Sequence, residues 1–272
     1  MQVKTKYVAK KPDAQGYIAY TDAENEVWKT LYNRQYPLVE QRAHEAYLKG
    51  LKVLGLNNAR IPQCVEVSSI LRDTTGWSVA PVEALISFES FFQLLSEKKF
   101  PAASFIRIPE ELDYLQEPDI FHELFGHCPM LTDQTFADFT YEYGKLGLNA
   151  SAKQRVYLAR LYWFTVEFGL IQSAQGPKIY GGGILSSYGE TLYALDSPIP
   201  ERRPFDILTM LRTPYRYDMM QTIYYVINSL DDLYQIMQLD LFALIKEASK
   251  LGMLPSTFPP KEDDEADEVR SC

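Results

Sequence analysis

The stretch Pro118–Met130, "PDIFHELFGHCPM", holds two of the three histidines in a chain of 272 residues. His122 and His127 stand five apart, with Glu123 beside the first and Asp119 three residues before it. Imidazole is the commonest metal ligand, so two clustered histidines in a chain nearly free of histidine point to a bound ion. The zinc-protease signature H-E-x-x-H sets its histidines four apart, on one face of an α-helix. Here the second comes one residue late. At roughly 100° per residue, five residues separate two side chains by about 140° on a regular helix. Both rings reach one ion only if the helix is distorted or the ion sits off its end. The competing reading is a pair of core histidines satisfied by backbone carbonyls.

A third ligand is needed. Glu167, in "LYWFTVEFGLI", is a lone carboxylate in an apolar run, and burying one without a partner is costly. Two histidines and a carboxylate on one face of an ion leave three positions open, the arrangement of non-haem Fe(II) oxygenases. Zinc held by the same residues keeps one open position and activates a water for hydrolysis. A binding protein with structural histidines is the third reading. Spacing leaves all three open.

The elements that must position these residues read mostly as helix. "TDAENEVWKTLYNRQ" opens with Thr21 and Glu24 in capping-box spacing. "YPLVEQRAHEAYLKGLKVLGL", "VEALISFESFFQLLSEKKF", "QRVYLARLYWFTVEFGLIQ" and "SLDDLYQIMQLDLFALIKEASKLG" are apolar-rich and of helical length. Pro118 suits the first turn of the helix bearing the histidines, and Pro129 ends it. Strand-like pieces lie between: "GWSVAPV", "FPAASFIRI", "KIYGGGIL" and "IYYVIN". The regular strand–helix alternation of a doubly wound sheet is missing. The expectation is a mainly α (α+β) protein with one large helical domain over residues 17–258 and a small β element. Residues 1–16 read as a flexible N-terminal segment. Residues 259–272, with six acidic and two basic side chains, read as an acidic, disordered tail carrying −4 of the net charge of −9.

Composition excludes several classes. The chain has 46% apolar residues and 13% aromatics, enough for a substantial core. It has no apolar run long enough to span a bilayer and no secretory signal pattern, so no membrane partner is expected. Three scattered cysteines, Cys64, Cys128 and Cys272, make no disulfide framework, and a cytoplasmic location follows as the default. An acidic body does not suit nucleic acid. The glycines at 181–183 lack the Lys-Ser/Thr of a phosphate loop, and read as a tight strand end that lets backbone approach the site.

Four stretches together resemble the iron- and tetrahydropterin-dependent aromatic amino acid hydroxylases. They are "IPQCVEVSSILRDTTGWSVAPVEALIS", "EPDIFHELFGHCPML", "ARLYWFTVEFGL" and "IYGGGILSSYGE", and the likeness covers about residues 20–235. It is strongest to the bacterial single-domain phenylalanine-hydroxylating kind. The resemblance implies that catalysis rests on an Fe(II) held by His122, His127 and Glu167. It implies that Arg107 clamps the carboxylate of L-phenylalanine, that Asp119 supports it, and that Pro118 and Trp163 wall the ring. Ser186, Ser187 and Glu190 fall on the substrate side, with Ser186 bonding a ligating histidine. Leu85, Ile86, Phe91, Glu123, Ala159 and Tyr162 form the cradle of a tetrahydropterin, tetrahydrobiopterin or a relative. The implied reaction converts phenylalanine to tyrosine with O2, serving phenylalanine catabolism; tyrosine or tryptophan hydroxylation is the alternative within the family. Family members with tetramers and regulation carry an extra domain and a heptad helix, so a monomer or dimer is expected. Plainer roles compete: Arg107 in a surface ion pair with Glu110 or Glu111, Phe91 in the core, and the serines capping "SYGETLYAL".

Overall fold

The computed structural model describes residues 7–83, 86–113, 115 and 117–259. Chain order begins with helices α1 (Asp22–Arg42), α2 (Glu45–Val53) and α3 (Cys64–Thr74). Strand β1 (Ser78–Val82), helix α4 (Phe88–Ser96) and strand β2 (Lys99–Ala103) follow, then α5 (Gln134–Asn149) and α6 (Ala152–Tyr162). Strands β3 (Leu170–Ser173) and β4 (Gly176–Ile179) precede α7 (Gly182–Leu185) and α8 (Tyr188–Asp196). The rest is β5 (Glu201–Pro204), α9 (Ile207–Arg212), β6 (Ile223–Ile227), α10 (Leu230–Ile236) and α11 (Leu241–Leu251). The mainly helical expectation holds. The β element is two small sheets: parallel β1–β2, and a four-stranded sheet in the order β4-β3-β6-β5.

The local chemistry explains most starts and stops. Thr21 caps α1 in a full capping box with Glu24. Two runs that read as single helices are broken by caps. The run after Tyr36 divides at Ala43, where His44 accepts a hydrogen bond from the Ala46 N–H and opens α2. The last run divides into α10 and α11, with Asp240 accepting from the Ala243 N–H. The run "QRVYLARLYWFTVEFGLIQ" leaves helix at Phe168 and ends as β3. Gly169 leaves no room to continue differently, since a Cβ there would fall 2.2 Å from the Tyr180 ring.

One contiguous core joins nearly all elements, with Trp28, Trp77, Tyr47, Phe121 and Phe125 among its fully buried side chains. The N-terminal residues that are described also pack: Tyr7 stacks on Phe105 at 4.5 Å and donates to Glu111 at 2.9 Å. No described helix is long and apolar enough to cross a membrane.

Candidate active site

The histidine helix is not a regular α-helix. Residues His122–His127 form a π-turn, in which the Cys128 N–H reaches back five residues to the Glu123 carbonyl at 3.1 Å. A wider turn brings residues five apart nearly above one another. The regular-helix separation expected from the spacing is thereby corrected: the two rings meet, with Nε2 atoms 3.0 Å apart. Glu167 also ends a π-turn, Trp163–Glu167, closed by Phe168 N–H to Trp163 carbonyl at 2.8 Å. Its Oε2 lies 3.7 Å from His122 Nε2 and 3.3 Å from His127 Nε2.

Three donor atoms therefore converge from two π-turns. An ion bound at about 2.1 Å separates adjacent ligand atoms by about 3.0 Å in an octahedron and about 3.4 Å in a tetrahedron. The observed separations bracket those values, so one ion fits among all three. The donor set is prepared for it. Ser186 Oγ donates to the Gly182 carbonyl at 2.9 Å, so toward His122 Nδ1, also at 2.9 Å, it must accept. That places the His122 proton on Nδ1 and leaves Nε2 a bare lone pair facing the centre. Burial pushes the His122 pKa down to about 4 against the opposing pull of Glu167. The ring is therefore neutral near pH 7, as a ligand must be.

Two carboxyls stand near this centre, and their charge states separate them. The ligand atoms of His122, Glu123 and His127 all lie within 4.8 Å of one another. Burial, reinforced by Glu167 and Asp119, lifts the Glu123 pKa well above the usual carboxylate range. For Glu167 burial is outweighed by the adjacent rings of His127, which also hydrogen-bonds to it, and His122, and its pKa is held low. The two shifts run in opposite directions: the site favours the ionised form of Glu167 and the protonated form of Glu123.

The triple glycine gives backbone access to the centre, as its sequence suggested. A Cβ on Gly182 would fall 2.4 Å from His127 Nδ1, and one on Gly183 would fall 2.9 Å from Glu167 Oε2. Across the same contact a Cβ on Gly126 would sit 2.6 Å from the Gly182 carbonyl oxygen. So α7 lies directly on the first π-turn.

Arg107 is not in a surface ion pair with Glu110 or Glu111. It is 7% exposed and makes a two-pronged pair with the fully buried Asp119, Nε to Oδ2 at 2.8 Å and Nη2 to Oδ1 at 2.9 Å. Asp119 also accepts from the His122 N–H at 3.0 Å, which ties this pair to the start of the π-turn. Pro118 precedes it, half-buried. Trp163 opens the second π-turn, stacks on Tyr215 at 4.4 Å and lies against Phe168 at 4.5 Å. Ser187 caps α8 by accepting from the Glu190 N–H, the capping role its sequence allowed. The buried Glu190 carboxyl accepts from the Tyr224 hydroxyl and the Gln221 N–H.

On the other side of the centre, Phe91 meets the edge of Tyr162 at 5.3 Å. Burial, with the carboxyls of Glu167 and Glu123 nearby, raises the Tyr162 pKa. Ala159 precedes Tyr162 on α6, and Ile86 is half-buried just before α4. Leu85 lies outside the described residues. Gln221 was not singled out in the sequence, yet its side chain accepts from Trp163 Nε1 at 2.9 Å. A glutamine beside "TIYYVIN" carries no pattern that would have marked it.

The model of the biopterin-dependent aromatic amino acid hydroxylase family matches residues 2–249. This chain belongs to that family. Among the hydroxylases it resembles, the phenylalanine-4-hydroxylase of Pseudomonas aeruginosa is 55% identical, over 95% of this chain and 98% of the relative. The apo structure of the cold-active phenylalanine hydroxylase of Colwellia psychrerythraea superposes with a TM-score of 0.92 at 53% identity, covering 94% of this chain and 99% of that one. The Chromobacterium violaceum phenylalanine hydroxylase, solved with bound iron(III) and oxidised 7,8-dihydrobiopterin, gives a TM-score of 0.84 at 38% identity over 93% of each chain.

Proposed function

We propose that this hydroxylase is a phenylalanine 4-monooxygenase, converting L-phenylalanine to L-tyrosine with O2, Fe(II) and a tetrahydropterin. The observation that carries the reading is the meeting of His122, His127 and Glu167 beside the buried Arg107–Asp119 pair. Bound Fe(II) and reduced pterin supply O2 activation and two electrons; the residues supply placement. His122 Nε2, His127 Nε2 and Glu167 Oε2 hold the metal, and Ser186 keeps His122 in the ligating tautomer.

Arg107 binds the substrate carboxylate. Of its five N–H donors two go to Asp119. Among the described residues the remaining three make no hydrogen bond, and a carboxylate is the group they fit. Asp119 fixes the plane of the fork. Pro118 and Trp163 wall the aromatic ring, so that ring and metal meet in one orientation. Ser187 and Glu190 belong to this substrate side as well, held by the α8 cap and by Tyr224 and Gln221. Phe91, Tyr162, Ala159, Ile86 and Leu85 cradle the pterin. Glu123 offers its carboxyl oxygens to the pterin ring edge.

The test is turnover with Fe(II), a tetrahydropterin, O2 and each aromatic amino acid in turn. Tyrosine should form from phenylalanine only when metal, pterin and O2 are all present. Faster turnover of tyrosine or tryptophan would reassign the substrate. Activity without reductant or O2 would return the centre to hydrolysis.

A further inference from the structure

Gln221 lies 58 residues from Trp163 in sequence, and its side chain is held at every polar atom. Its Nε2 donates to the Arg216 carbonyl at 2.8 Å and to the Met219 carbonyl at 3.1 Å. With both amide hydrogens committed, Oε1 is left as the acceptor, and it takes the Trp163 indole N–H at 2.9 Å. Its own backbone N–H donates at 3.1 Å to Glu190, which also accepts from Tyr224. Gln221 is 4% exposed and Glu190 6%. The segment between α9 and β6 thus grips the indole twice, with Tyr215 stacked on its face at an 18° tilt and Gln221 on its edge. Indole has one polar group, a donor, so its rotation in the ring plane is decided by where that acceptor stands.

We propose that Gln221 is a positioning residue for substrate, fixing the Trp163 indole so that it presents one constant wall to the amino acid ring. The inference rests on the reading of Trp163 as a wall of the amino acid pocket. The buried Glu190 and Tyr224 anchor Gln221, so the segment from Thr213 to Thr222 is part of the substrate machinery although it holds no metal ligand. Without the Gln221 acceptor the indole keeps its stacking on Tyr215 but gains an unsatisfied N–H. It samples other orientations, and the substrate ring is held less firmly over the centre.

The experiment combines Gln221→Met, which keeps length and volume and removes the acceptor, with Trp163→Phe, which removes the indole N–H. Wild type, both single variants and the double variant are assayed with phenylalanine. Gln221→Met alone should raise KM for phenylalanine by about fivefold, the scale of one neutral hydrogen bond. It should also lower tyrosine formed per pterin oxidised, with bound iron per chain unchanged. In the Trp163→Phe background the same substitution should add little, because the partner is already gone. A readout independent of turnover is the indole N–H proton resonance. The chain has three tryptophans, and only the Trp163 signal should move upfield and exchange faster in Gln221→Met. Equal effects of Gln221→Met in both backgrounds, or loss of iron with the resonance unmoved, would show that Gln221 merely braces the loop and would overturn the proposal. A wild type that fails to hydroxylate phenylalanine would refute the functional reading; the indole resonance tests the hydrogen bond separately.

Discussion

Arg107 and Asp119 are the residues whose chemistry is most exposed to a single change. Burial opposes the charge on each, and their mutual attraction outweighs it, holding the Asp119 pKa below and the Arg107 pKa above the ordinary values. A lysine at 107 offers one point charge, which satisfies Asp119 or a substrate carboxylate but not both in a plane. Charge-assisted bonds of this kind contribute roughly 1.5–3 kcal/mol. Arg107→Lys should therefore raise KM for phenylalanine on the order of tenfold or more, with iron content unchanged. Wild-type KM in that variant would remove Arg107 from the substrate site. Glu190 gives a pH test. Burial raises its folded pKa, against the bonds from Tyr224 and Gln221. A raised carboxyl pKa means the fold favours the proton: that stability is full below the unfolded value near 4.3 and is lost as pH rises through the folded pKa. Glu190→Gln should thus gain thermal midpoint relative to wild type as pH rises from about 4.3, and a constant difference across that range would contradict the assignment. The structure brings together His122, His127, Glu167, Arg107 and Asp119, which the sequence resemblance had grouped. The resemblance did not reveal Gln221, because an amide that holds a ring from a distant segment leaves no spacing to read.

Elements set the ligands, and here two π-turns do work that an α-helix cannot. The histidine spacing argued against one regular helix face, and the reason is now physical: one extra residue per turn restores the alignment. Periodicity at 100° per residue has no way to signal such a turn, although two histidines five apart, His122 and His127, just ahead of Pro129 are its trace. The freed backbone must be satisfied. In an α-helix the Phe125 carbonyl would accept from residue 129, which is Pro129 and has no N–H. The Tyr47 hydroxyl donates to it instead at 2.8 Å. Tyr47 is delivered by α2, which approaches so closely that a Cβ on Gly50 would fall 2.0 Å from the Pro129 carbonyl oxygen. In the second turn Thr165 Oγ1 donates to the Leu161 carbonyl at 2.5 Å. Tyr47→Phe leaves a buried acceptor empty, at a cost of about 1–3 kcal/mol. It should lower the thermal midpoint by several degrees and speed iron loss to a chelator. Tyr143→Phe, which removes a hydroxyl from the Leu158 carbonyl in α6, should lower stability without changing iron loss. Equal iron loss in both variants would mean that Tyr47 serves stability alone. Strands β3 and β5 were unreadable for a related reason. "LIQS" continues an apolar helical run, and "ERRP" has no apolar alternation and pairs only along one edge, with β6.

At the scale of the molecule, the C-terminal segment braces the stretch that carries Gln221. After α11 the chain turns back over α9 and the following segment. Arg212 Nε donates to the Gly252 carbonyl at 2.8 Å, and the Leu254 N–H donates to the Arg212 carbonyl at 2.9 Å. Thr257 and Thr222 share a hydrogen bond at 2.5 Å, and Arg216 donates to the Pro259 carbonyl at 3.0 Å. Thr222 and Arg216 flank Gln221, whose amide also bonds the Arg216 carbonyl. The strap from Gly252 to Pro259 therefore braces the segment that grips Trp163. Composition flagged the acidic stretch beyond it but not the strap, whose hold is made of hydroxyls and carbonyls in no periodic order. The two should separate on truncation. A chain ended at Pro260 loses Lys261–Cys272 and all of that stretch's −4 charge but keeps each of these bonds, and it should match the full chain in activity and thermal midpoint. A chain ended at Gly252 loses Leu254, Thr257 and Pro259 together. It should show a higher KM for phenylalanine and fewer tyrosines per pterin oxidised, because Arg216 and Thr222 lose partners while the metal ligands keep theirs. Iron content should hold in both. If the chain ended at Pro260 already loses activity, the acidic stretch itself acts on the body; if the chain ended at Gly252 keeps full coupling, the strap does not brace the substrate wall.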